Sequence, residues 1–121
     1  MILKFTVLFL TLTLSIFFLA ASAEALPPAE AQRVEKFLTA LSQEKDLVFI
    51  RNGSEYPASR AVRHLRRKLK SSQDKLRTAD EFIDQVASKS SLSGKPYLIR
   101  QKDGVKEEAG PYFHKLLAAS D

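Results

Sequence analysis

The residues with the most unusual chemistry are Arg60, Arg63, Arg66, Arg67 and Lys70. They recur at helical spacing in a stretch, Ala58 to Gln73, that holds six Lys or Arg residues and no acid. Like charges three or four residues apart on a helix repel by about 0.2–0.5 kcal/mol per pair, so a face that met only water would be expected to intersperse acids. A stripe of this kind attracts an anion such as a lipid headgroup, a lipopolysaccharide phosphate or an acidic protein. The structural alternative is that the acids of a later helix, or Glu107 and Glu108, fold back onto it.

The remaining reactive side chains form weaker patterns. Ser42-Gln43-Glu44-Lys45 and Ser72-Gln73-Asp74-Lys75 both place a lysine one helical turn from a serine, yet neither is accompanied by the further elements of penicillin-binding enzymes. Ser93-Gly94-Lys95 resembles the end of a phosphate loop, but the earlier glycine is missing and Pro96 stands where a magnesium-binding hydroxyl belongs. His64 sits at the margin of an apolar stripe and reads as a packing residue making one hydrogen bond. His114 is expected to be exposed, and no carboxylates stand at ligand spacing to either histidine. Asp80, Glu81 and Asp84 crowd a helix start, where their role is capping and dipole compensation. No residue is therefore assigned a catalytic, cofactor-binding or metal role. The reading is a binding or accessory module with a basic helix face; the alternative is a small hydrolase-like enzyme using His64 or the serine-rich loop 88–97.

Those residues need a scaffold. Leu47 to Ile50 is a continuous apolar run with the composition of a strand covered on both faces. Asn52-Gly53 suits a two-residue type I′ turn, whose central residues both need positive φ, and Ser54 to Tyr56 is the return strand. Pro57 fits the first turn of a helix, and Ala61, Val62, Leu65 and Leu69 supply its apolar stripe, opposite the basic one. Val34, Phe37, Leu38 and Leu41 mark an earlier helix over 29–44. Ser71 to Arg77 reads as a loop. Thr78-Ala79-Asp80-Glu81 is a capping box that opens a third helix, with Phe82, Ile83, Val86 and Ala87 inside. After the loop 88–97, Tyr97 to Ile99 starts a strand, Lys102-Asp103-Gly104 a turn, Val105 to Glu108 an edge strand, and Gly110-Pro111 a last helix. The order hairpin, proline, helix thus occurs twice. The fold class is α+β: a small antiparallel sheet of short hairpins packed with about four helices.

The first 23 residues read as a signal peptide. Lys4 supplies the positive start, Phe5 to Leu19 is uncharged and apolar, and Ala21-Ser22-Ala23 offers small residues for cleavage after Ala23. Glu24, Pro27 and Pro28, with no basic cluster behind the apolar run, argue against retention as a transmembrane anchor. Removing 23 of 121 residues leaves 98, with 18 basic against 14 acidic side chains and a net charge of +4. The division is 1–23 signal peptide, 24–28 linker and 29–121 one domain. There is no cysteine, so neither a lipid anchor nor a disulfide is available. The expected location is the periplasm, where nucleic acid is rarely met; no aromatic residue interleaves with the basic ones either.

Phe49-Ile50-Arg51-Asn52-Gly53, Tyr56, Ala61, His64-Leu65, Lys68, Thr78-Ala79, Phe82-Ile83, Ala87-Ser88 and Ser90-Ser91 through Ser93-Gly94-Lys95-Pro96-Tyr97 together resemble the YfeK-like family of small bacterial periplasmic proteins. The resemblance covers roughly residues 30 to 117. It implies an exported single domain without an assigned activity, and no catalytic residues to carry over. Pro57 departs from the Ser or Thr expected in relatives after the tyrosine.

Overall fold

A computed structural model describes residues 26–121 of the protein; the expected signal peptide lies outside the described residues. Among these residues there are four α-helices and one four-stranded antiparallel sheet, the expected α+β class. The elements run α1 (Pro28–Ser42), β1 (Val48–Arg51), β2 (Ser54–Pro57), α2 (Ala58–Ser72), α3 (Ala79–Phe82), β3 (Leu98–Arg100), β4 (Lys106–Glu108) and α4 (Ala109–Ser120). A π-helical turn, Ile83–Ala87, extends α3.

Asn52 and Gly53 both have positive φ, 49° and 81°, and close the β1–β2 hairpin as a type I′ turn requires. The sheet order is β2-β1-β3-β4, with Phe49 paired to Ile99 at the centre. Each half of the chain is thus a helix, a hairpin and a helix, and β1 and β3 meet at an approximate two-fold axis.

One face of the sheet carries the core. Phe49 and Ile99 join Phe37, Leu41, Leu65, Phe82 and Phe113 in the buried cluster beneath the helices. The expectation that Leu47 to Ile50 is covered on both faces holds for Leu47, Phe49 and Ile50, which are buried, while Val48 is half-buried on the opposite face. Ile50, also on that face, is shielded because Arg100 of β3 reaches over β1 to Glu55 of β2, with one bond of 2.9 Å. An unbroken apolar run does not by itself tell one covered face from two.

Other differences are local. Leu26, placed in a linker by its prolines, is 8 % exposed and belongs to the core. Helix α2 continues to Ser72 and passes into a 3₁₀ turn at Gln73–Lys75, where a loop was expected. Ser71 and Ser72 donate their hydroxyls to the Lys68 carbonyl at 3.0 and 2.6 Å, satisfying the helix end without an apolar stripe. The Thr78 hydroxyl accepts the Glu81 N–H at 3.0 Å as a capping box requires, but Glu81 returns to the Arg77 N–H, one residue earlier than expected.

The acids of α3 have a second role. His114 of α4 is half-buried, with Nδ1 3.0 Å from Asp80 and Nε2 2.6 Å from Asp84. Arg33 of α1 approaches Asp80 at 3.7 Å and binds Glu30 and Asp121. Burial is the largest single influence on His114 and lowers its pKa, but the bonds and charges of Asp84 and Asp80 together hold it above the ordinary value. A histidine whose folded pKa is raised contributes stability fully below its unfolded pKa, near 6.5, and loses it as pH rises through the folded value. Thermal midpoints should therefore decline as pH is raised from about 6.5, and His114→Gln should flatten that decline. Equal slopes in the two proteins would show that His114 carries no folding charge.

Candidate functional site

Helix α2 buries Ala58, Ala61, Val62 and Leu65 against the core, which turns its arginines outward. The five stripe residues are all exposed, and their partners differ. Arg66 pairs with Glu35 of α1 at 2.7 Å. Arg60 lies over the Tyr56 ring, 5.3 Å from its centroid. Arg63, Arg67 and Lys70 are exposed, and among the described residues none of them has a carboxylate within ion-pair distance. The acids expected to fold back are engaged elsewhere, Asp80 and Asp84 with His114 and Glu107 with Gln101. The neutralising acid is Glu35, one of two on α1, a helix whose contact with α2 is not encoded in local spacing.

Beside this face lies a cleft of about 340 Å³ between the β1–β2 hairpin, α2 and the 88–97 loop. Arg51, the last residue of β1, enters it with Nη1 3.0 Å from His64 Nδ1. Its Nη2 is 3.4 Å from the Tyr56 hydroxyl. His64 and Lys68 stand one turn apart on α2 and so share a side. His64 Nε2 is 3.2 Å from the Tyr97 hydroxyl, and Lys68 Nζ donates to that oxygen at 3.0 Å and to the Lys89 carbonyl at 2.8 Å. Tyr97 is placed by its backbone, which donates to the Ser88 carbonyl and accepts from the Ala109 N–H, both at 2.8 Å.

Arg51 Nη1 lies 3.0 Å from His64 Nδ1 and 3.3 Å from Nε2, so the guanidinium, which can only donate, sits against both ring nitrogens, and the direction of the Nε2–Tyr97 bond is set by the tautomer. The Tyr97 oxygen accepts from Lys68. Burial, then the charges of Arg51, Lys68 and Arg67, push the His64 pKa down to about 4, which keeps the ring neutral near pH 7. Burial and the charges of Arg51 and Lys89 push Lys68 down to about 8. The side chains lining the cleft include no carboxylate, so nothing there balances Arg51 and Lys68.

The loop is fixed to the hairpin. Ser93 Oγ donates to Asn52 Oδ1 at 3.2 Å, and the buried Ser90 receives the Ser93 N–H at 3.3 Å. The cleft therefore brings His64 together with Ser90 and Ser91, as the hydrolase alternative requires, but without the carboxylate that would orient the histidine. Ser42 and Ser72 donate to the carbonyls of Thr39 and Lys68, each at 2.6 Å, and neither serine faces its paired lysine. Among the described residues no group of three or more His, Asp or Glu side chains could hold a metal ion, and no helix is long and apolar enough to cross a membrane. Sequence reasoning passed over Arg51 and Lys68 as site residues. The available signal was the i, i+4 spacing of His64 and Lys68 behind a hairpin that ends in Arg51.

A model of the family described as "Family of unknown function (DUF5329)" matches residues 28–121. Over 68 residues the chain is 50 % identical to a Salmonella typhimurium protein described as "Uncharacterized protein YfeK". That match spans 56 % of this chain and 57 % of the relative. The likeness to YfeK-like proteins read from the residues is thus found. No solved structure matches the chain.

Proposed function

The chain belongs to the family of unknown function DUF5329, and from that premise we propose that it is an exported, periplasmic binding or accessory module whose α2 face takes an anionic envelope component or an acidic protein. The observation that carries this reading is the exposure of Arg63, Arg67 and Lys70 with no carboxylate in ion-pair reach among the described residues, while Arg66 is held by Glu35. The face is therefore Arg60, Arg63, Arg67 and Lys70. Export is supported by Lys4, the apolar run after it and Ala21-Ser22-Ala23, with Glu24 as the first mature residue.

Cosedimentation with vesicles containing phosphatidylglycerol tests the lipid arm, and retention on an immobilised acidic protein tests the other. Binding in either arm should fall steeply between 0.1 and 1 M salt, as the Debye length contracts from about 10 Å to about 3 Å. Charge reversal, Arg63→Glu with Arg67→Glu, should abolish that binding and leave the melting temperature almost unchanged, because both side chains are exposed. Salt-independent retention, or a large loss of stability in the double variant, would overturn the reading.

A further inference from the structure

The cleft between the hairpin, α2 and the 88–97 loop is a site in its own right, separate from the outer face of α2. We infer that it binds the phosphate group of a small polar phosphomonoester, with Arg51 and Lys68 as the charge partners and the Tyr97 hydroxyl as a neutral hydrogen-bond partner.

Charge points to a dianion. Arg51 and Lys68 converge on one cavity from β1 and α2, and no acid lines it. A single carboxylate would neutralise one of the two cations, whereas a phosphomonoester neutralises both. The donors suit a tetrahedral oxyanion approached from several sides. A guanidinium has five N–H donors and an ammonium three; in the free protein Arg51 spends its bonds on His64 and Tyr56, and Lys68 spends two on Tyr97 and the Lys89 carbonyl. Both keep donors to spare. A volume of about 340 Å³ exceeds what a bare phosphate needs, and Ser54, Ser90 and Ser91 offer hydroxyls to the rest of the molecule.

The protein contains its own comparison. Counting from the strand register and the helix starts, Arg51, Tyr56, His64 and Lys68 of the first half correspond to Gln101, Glu107, Lys115 and Ala119 of the second. Those four second-half residues also line one hollow, of about 290 Å³. There the charges are one lysine and one glutamate, and they cancel. The fold therefore closes this position without a surplus of cations, and the surplus in the first half is not an architectural requirement.

His64 is a positioning residue: its ring nitrogens lie 3.0 and 3.3 Å from Arg51 Nη1, and its Nε2 lies 3.2 Å from the Tyr97 oxygen. An anion beside it would favour its protonated form and that of Lys68, so binding should take up protons and weaken as pH rises through about 8, where free Lys68 loses its charge.

The test is a titration of the full domain with glycerol 3-phosphate, inorganic phosphate, acetate and glycerol, read by calorimetry and by amide and side-chain NMR. Glycerol 3-phosphate should bind most tightly, inorganic phosphate less so and acetate at least tenfold more weakly than glycerol 3-phosphate. Shifts should be confined to Arg51, His64, Lys68, Tyr97 and the 88–97 loop. Lys68→Gln and Arg51→Gln should each weaken binding at least tenfold, and the His64 ring should titrate at higher pH in the complex than in the free protein. Arg63→Glu with Lys70→Glu, two residues that neither line the cleft nor shift His64, should leave all of this within a few fold, so the cleft and the outer face can fail independently. Equal affinity for acetate, shifts confined to Arg60, Arg63, Arg67 and Lys70, or an unmoved His64 titration in the wild-type complex would overturn the assignment, and this last measurement needs no variant to fold.

Discussion

Replacing Phe113 with alanine should cost about 3–5 kcal/mol, the range for removing a large aromatic side chain from a core that cannot fully collapse around the gap. Phe113 is completely buried. Its ring meets Phe37 edge-on at 5.3 Å between centroids and stacks on Phe49 at 6.3 Å, so one side chain joins α4 to α1 and to the centre of the sheet. Edge and stacked aromatic contacts of this kind add about 0.5–1.5 kcal/mol to burial alone. A domain of this size has about 5–15 kcal/mol in total and no disulfide in reserve. The urea midpoint should therefore fall by more than about 1 M, given slopes of about 1–3 kcal/mol per molar. Phe113→Leu should lose distinctly less. A midpoint within about 0.3 M of wild type for the alanine variant would mean that this ring is not the junction of the core.

The second large effect concerns a position that packs against nothing. Gly53 has φ of 81°, and a Cβ built on it would meet no atom within 4 Å. Gly53→Val therefore creates no clash with the rest of the fold. Its cost comes from the backbone, because left-handed φ brings Cβ against its own carbonyl at about 1–2 kcal/mol, with β-branching at the upper end. For a domain of roughly 100 residues each kcal/mol moves the melting temperature by about 4–8 °C. Gly53→Asn should recover most of the loss, as Asn tolerates that conformation and already occupies φ 49° next door at Asn52. If valine and asparagine melted alike, the hairpin would not be held by its turn geometry.

The two cases mark what a single sequence can convey. Asn52-Gly53 declares its conformation locally, and so do the Thr78 cap and the apolar spacing of α1 and α2, because each depends on residues within one turn of chain. The sheet order does not: nothing near Phe49 says that Ile99 lies opposite it rather than an edge strand. His114 was expected to be exposed because its carboxylate partners, Asp80 and Asp84, are 34 and 30 residues away and already accounted for as helix-start acids. The basic stripe was legible as a pattern, but only tertiary packing reveals that Arg66 meets Glu35. The cleft was the least legible feature. Its two cations come from a strand end and a helix, and Tyr97, which lies between them and the loop, read as a strand residue.

The duplicated architecture gives the cleft a mechanical meaning. Each hairpin and its following helix are built from neighbouring residues, and the halves join at the β1–β3 seam, where three residues of each strand are paired, and beneath it where Phe113 of α4 packs on Phe37 of α1. Arg51, His64 and Lys68 belong to one side of that seam and Tyr97 to the other. A ligand held by Arg51, Lys68 and Tyr97 would act as a removable rivet. It binds only while the halves are closed, and by mass action it adds its binding free energy to the closed form. If the halves of two chains were exchanged through an opened seam, each cleft would be assembled from both chains, and occupancy would tie them together.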